Sequence, residues 1–224
     1  MVYAVRRALS ALIDPGLRRV LARALALTVG GLAMLGGVLY WALAHLAQTW
    51  SGWLRTGVEI LGGLGIVAGS ILLVPVVALI VVTLFLDEVA DTVEVRDFPA
   101  AAKGRPLALG AALRTGASFS AVSLALNLLA LPLYLLPGPN LVVYLTINGY
   151  LAGREYFDLV ALRHIAPDAA KSLRGRHKLQ IYGAGLVIAL AFAVPILNLL
   201  APLFGAALMV HVFKDVENAS PRPC

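Results

Sequence analysis

Residues able to do chemistry in this chain gather at the edges of its apolar stretches. The first group is Asp14-Pro15-Gly16-Leu17-Arg18-Arg19. Asp14 is a favourable N-cap, and Pro15 suits the first position of a helix. A helix starting there would leave the amides of Gly16, Leu17 and Arg18 free at the positive end of its dipole. That arrangement attracts anions. Gly16 would let an anion approach the backbone closely. Arg18 and Arg19 add forked guanidinium donors that match an oxyanion. Asp14 works against this, because a capping carboxylate takes one amide and repels an anion. The same residues also read as a capped helix followed by ordinary topology-setting arginines.

The second group lies between Asn148 and Asp158. Gly149 and Gly153 form a GxxxG ridge suited to close helix packing. Arg154 and Asp158 are one turn apart and can pair. Glu155 and Arg163, with the acids Asp87, Asp91 and Glu94, complete an expected ionic network at the membrane edge. This group reads as structural, a packed ridge and an ionic lock, with ion coordination as the other possibility. Glu59 reads as an interface charge, with a pathway role as the weaker reading. The four histidines, His45, His164, His177 and His211, lack HxxxH or HxxE spacing and read as interface or loop residues. With no GxSxG and no phosphate loop, the chain reads as no enzyme, and no cofactor or metal is expected. Its single cysteine, Cys224, builds no disulfide framework.

Such groups need elements to hold them, and the composition says which. Of the 224 residues, 60% are hydrophobic and 13% charged, with a mean hydropathy of +0.88. Soluble domains carry about 25% charge, so this is an integral membrane protein. The net charge of +6 lies beside apolar segments, as topology requires, and does not imply nucleic acid. Apolar stretches run from about Val20 to Gln48 and from Gly57 to Leu86; a crossing helix needs roughly 20 residues. The first is too long for a signal-peptide core.

Two later regions, Ser118 to Gly153 and Leu179 to Phe213, each hold two apolar arms joined by prolines. Those prolines are Pro132, Pro137 and Pro139 in one and Pro195 and Pro202 in the other. Each proline interrupts helix hydrogen bonding. Two full crossings need roughly 40 residues plus a turn, so both regions read as half-depth hairpins with tips near Asn140 and Asn198. Two tilted, kinked full-length pairs are the alternative. Arginines before the first span, and basic residues after every later segment, place both termini in the cytoplasm. Trp41, Trp50 and Trp53 form an outer aromatic belt. A helix is expected to extend from Asp87 to Pro99, and another short one to open at Pro106. Residues 1–214 form one expected domain, and the tail 215–224 is expected to be disordered.

The stretch GYLAGREYFDLVALRH, Gly149 to His164, resembles the signature of the CysZ family, the bacterial branch of the etoposide-induced protein 2.4 superfamily. The likeness extends to Gly16-Leu17-Arg18-Arg19, the two long spans and the Pro195–Pro202 hairpin. It implies an all-helical inner-membrane protein with two transmembrane helices, two hemi-penetrating hairpins and short amphipathic cytoplasmic helices. It implies a homo-oligomer among membrane lipids that takes up sulfate for cysteine synthesis. The family's sulfate-binding GLR motif carries over to Gly16, Leu17, Arg18 and Arg19. Asn140 and Asn198 would then line a polar route. A non-transporting scaffold and a lipid-handling membrane protein are the competing readings.

Overall fold

A computed structural model describes residues 2–48, 52–107, 109–134, 140–198 and 200–219. Among these residues the regular structure is helical. The helices are α1 (Val2–Leu12), α2 (Pro15–Ala47), α3 (Trp53–Leu84), α4 (Leu86–Asp97), α5 (Leu109–Tyr134), α6 (Asn140–Ala161), α7 (Pro167–Arg176), α8 (Lys178–Ala193), α9 (Pro195–Asn198) and α10 (Ala201–Ala219). By their contacts they fall into two compact units. One unit is Arg19–Phe85, and the other is Met1–Arg18 with Leu86–Cys224.

The Arg19–Phe85 unit is an antiparallel helical pair. α2 has 33 residues and α3 has 32, both far longer than a bilayer needs. Glycines let the two approach. A Cβ on Gly36 would lie 3.6 Å from Ile66, and one on Gly62 would fall on the Leu43 side chain. The link ends at Gly52, whose φ of 65° is the left-handed conformation glycine adopts without strain. Glu59, the apparent interface charge, is neutralised one turn away by Arg55 at 2.9 Å. Trp41 stacks on His45, while Trp50 lies outside the described residues.

In the other unit the core helix is α10. Every side chain from Ala201 to Lys214 is buried, because α1, α4, α6 and α8 all pack around it. A helix that is apolar on all sides needs such complete enclosure. α1 contributes small residues at helical spacing, Ala4, Ala8 and Ala11, all buried. This i, i+4, i+7 pattern was present in the sequence and went unread.

Where the structure and the sequence expectations differ, the backbone explains why. α3 stops at Leu84, and a turn at Phe85 makes α4 a separate helix. No short helix opens at Pro106; α5 begins at Leu109 and continues through Arg114 into the apolar arm. Pro132 lies near the end of α5, so few helix bonds are left to break. The segment Arg114–Tyr134 is thereby 21 residues of helix, long and apolar enough to cross a membrane, as are Pro15–Ala47 and Trp53–Leu73. α8 is shorter, at 16 residues. The tip prolines Pro137 and Pro139 lie outside the described residues. α10 runs past Asp215 to Ala219, held by buried Val216 and a 3.1 Å Lys214–Glu217 pair, where a disordered tail was expected. Residues 220–224 lie outside the described residues.

The GxxxG ridge meets α8, not α5. A Cβ on Gly153 would stand 2.8 Å from the Ile181 carbonyl oxygen, and a Cβ on Gly185 would fall on the backbone of Gly149 and Gly153. α6 and α8 therefore touch backbone to backbone, which only glycine permits. Gly153→Ala should destabilise the protein by about 1–3 kcal/mol, and Gly185→Leu by more. Gly116→Ala, where the space is open, should gain about 0.5–1 kcal/mol of helix stability. Unfolding in mixed micelles checks all three, and equal effects at Gly153 and Gly116 would refute the contact.

Candidate functional site

The start of α2 is capped as its sequence suggests. Asp14 Oδ1 accepts the Gly16 N–H at 2.8 Å, and the Asp14 carbonyl accepts the Arg18 N–H at 3.0 Å. The capping carboxylate takes the Gly16 amide, and the first helical backbone bond takes that of Arg18, so of the three amides only that of Leu17 is left by these two bonds. Gly16 also has a different reason to be glycine. A Cβ there would meet both Asp14 Oδ1 and the Thr92 methyl of α4 at 2.9 Å. The space an approaching anion would need is filled by the cap and by α4. Leu17 is a core anchor, only 1% exposed, whereas Arg18 and Arg19 are exposed. What this turn offers an oxyanion is therefore two guanidinium groups. Asp14 does not oppose them alone, because Arg96 approaches its other oxygen at 4.0 Å.

Two buried ionic clusters stand on α4. Arg163, with its side chain 2% exposed, donates to the Asp87 carbonyl at 2.7 Å and pairs with Asp91, with Glu94 at 3.9 Å. Glu94 is itself buried and holds His164 Nε2 at 2.9 Å and the Gly104 N–H at 3.3 Å. His164 stacks on Phe213 of α10, so the cluster is locked into the core. In the second cluster, Asp97 binds Arg96 at 2.7 Å and Arg7 at 3.5 Å. His211 Nε2 of α10 lies 3.1 Å from Asp97, at ion-pair distance but without hydrogen-bond alignment. Of the residues grouped in the sequence as one network, Arg163 lies with the acids of α4. The roles of His164 and His211 were missed, because a histidine buried against a carboxylate looks in sequence like any other.

The remaining network residues separate onto two faces of α6. Arg154 lies 3.9 Å from Asp158, as expected, and donates to Ser118 Oγ at 3.2 Å. Asp158 also pairs with Arg174 of α7, a partner the sequence did not suggest. Glu155 does not join. It lies about 100° round the helix from Arg154 and lines a cavity of about 230 Å³ with Phe119, Asp158 and Leu162. Among the described residues it makes no ion pair. Asn140 and Asn198 are exposed, at the start of α6 and the end of α9.

Burial alone would raise the pKa of Glu94, but the His164 hydrogen bond and the charge of Arg163 outweigh it and hold the carboxyl below its ordinary value. Asp97 is likewise raised by burial, and held below its ordinary value by the Arg96 hydrogen bond and by charge. A depressed folded pKa stabilises fully above the unfolded value and is lost as pH falls through the folded one. Thermal stability should thus hold down to about pH 5 and decline below it, since unfolded Asp and Glu titrate near 4. Glu94→Gln should shrink that decline. Arg163→Leu, which strands the buried Glu94 carboxylate, should cost about 3–5 kcal/mol at neutral pH. Circular-dichroism melts across pH 3–8 test both; a wild-type melt independent of pH would refute the linkage.

Family membership can be judged against this geometry. The model of the sulfate transporter CysZ/etoposide-induced protein 2.4 family matches residues 4–202. No curated protein matches the chain. The matched range contains the capped start of α2, the Arg163–Glu94 cluster and the α6–α8 contact, and stops at the first turn of α10, before His211. With helical structure throughout its described elements, three of them long and apolar enough among the described residues to cross a membrane, this chain belongs to the sulfate transporter CysZ/etoposide-induced protein 2.4 family.

Proposed function

We propose that this protein passes sulfate, or a similar oxyanion, across the bacterial inner membrane into the cytoplasm, where it feeds cysteine synthesis. The observation that carries the reading is the exposed pair Arg18 and Arg19 in the first turn of α2, within the family match. The site comprises Gly16, Leu17, Arg18 and Arg19. Leu17 anchors the turn in the core, Gly16 lets it pack on α4, and the two guanidinium groups hold the anion. Arg96 draws the capping carboxylate towards itself, which lessens its repulsion of an arriving anion.

Both termini face the cytoplasm in this reading, and α5/α6 and α8/α10 act as hairpins that enter the membrane from that side. Asn140 and Asn198 line a polar route completed when copies of the chain assemble. The sequence carries no nucleotide-binding motif, so in this reading transport follows the anion's own gradient or its consumption.

Purified protein in detergent should bind sulfate saturably by calorimetry, with chloride inert. The Arg18→Ala/Arg19→Ala pair should weaken binding at least about tenfold, because each charge-assisted hydrogen bond contributes about 1.5–3 kcal/mol. Saturable binding unchanged in the pair would move the site elsewhere. A folded protein that binds no sulfate would overturn transport in favour of a membrane scaffold.

A further inference from the structure

An open pocket of about 520 Å³ lies between α6, α7 and α8. Arg154, Lys171, Arg174 and Lys178 line it together with Tyr150 and Tyr182. Arg154 and Arg174 share Asp158. Lys171 and Lys178 are exposed and have no ion pair among the described residues. Counting that one carboxylate, the pocket keeps a clear excess of positive charge.

The backbone adds to this charge. α8 begins at Lys178, and its N-cap, His177, makes no side-chain capping hydrogen bond. The amides of Gln180 and Ile181 bond the His177 carbonyl, which leaves those of Lys178 and Leu179 at the positive, pocket end of this 16-residue helix. The start of α2 is the opposite case, since Asp14 covers it. The carbonyl end of α7 also lies here, but Arg174 and Arg176 in its last turn offset it.

The rim of the pocket is apolar. Leu179 is 80% exposed and Tyr150 is 48% exposed. Leu179 is the second residue of α8 and Tyr150 lies one turn before Arg154 on α6, so on both helices apolar surface gives way to charge beside the pocket. A basic, tyrosine-flanked pocket at such a boundary fits the phosphate of a lipid whose chains run along apolar helix.

We infer that this pocket binds the phosphate group of an anionic phospholipid. Lys171, Lys178 and the α8 amides hold the phosphate oxygens. The Asp158-paired arginines form the back of the site, and the acyl chains pass Leu179 and Tyr150. The inference concerns a site apart from Arg18 and Arg19 and does not depend on sulfate transport.

Native mass spectrometry of the full chain in detergent, with phosphatidylglycerol and phosphatidylcholine offered together, is the test. Wild-type protein should retain phosphatidylglycerol preferentially. Lys171→Gln/Lys178→Gln should cut that retention about tenfold or more, given the attraction each lysine adds. Arg6→Gln/Lys103→Gln, with the same charge change on exposed residues elsewhere, should leave it unchanged. Equal loss in both pairs, or none in the first, would overturn the site. A second arm uses the wild type alone. Inorganic phosphate or sulfate at millimolar concentration should not displace the lipid, and displacement would assign the pocket to a small oxyanion instead.

Discussion

At Gly185 the α8 helix lies so near α6 that a single added carbon would fall on the main chain of Gly149 and Gly153. Much of the Met1–Arg18/Leu86–Cys224 unit depends on this contact. With α6 and α8 held backbone to backbone, α7 has to bridge them, which brings Arg174 to Asp158. One face of α6 then looks along α8 and carries Tyr150, Gly153 and Arg154. Another carries Glu155, Asp158 and Leu162 beside Phe119 of α5. α10 packs against both helices, and Gly205 leaves room for the Tyr156 ring of α6, which an added Cβ would meet at 2.9 Å. Loosening the glycine contact would disturb the charged faces as well as the apolar ones.

Charge is the second constraint. Arg163 and Glu94 are both nearly inaccessible, with side chains 2% and 4% exposed. Removing ions from water costs several kcal/mol each, and the cost is met only where partners and hydrogen bonds are complete. α4 supplies the carboxylates at helical spacing, Asp87, Asp91 and Glu94, and α10 closes the site with Phe213. The Asp97 cluster repeats this scheme at the other end of α4, drawing Arg7 from α1 and His211 from α10. Between them the two clusters tie a polar helix to an apolar core along its whole length.

The chain also treats its two cationic helix starts differently. At α2 a carboxylate caps the amides, and the arginines project outward from an anchored turn. At α8 no side chain caps the amides, and lysines and arginines surround them in a pocket. The first arrangement relies on flexible side chains, and the second combines side chains with fixed backbone donors. Oriented donors that are already in place lose less entropy on binding.

Local signals in the sequence were sufficient for much of the structure. Apolar length alone specified α2 and α3, because a bilayer sets the minimum span. Asp14-Pro15 marked the start of α2, because capping is a contact between near neighbours. The turn-spaced pair Arg154–Asp158 was legible for the same reason. GREYF pointed to the family. Distance in sequence hid the rest. Gly149 and Gly153 announced a close contact, but nothing in them named Gly185 as its partner. Asp14 was legible as a cap, but the Thr92 methyl that fills the space beside Gly16 comes from far along the chain. The acids of α4 were grouped with Arg163, but nothing local placed His164 between Glu94 and Phe213. Arg154, Lys171, Arg174 and Lys178 each read as a topology charge, because positive-inside bias explains any one of them. Only the packing of α6 on α8 makes them a single pocket, since a charge cluster is a property of space and the sequence records only order.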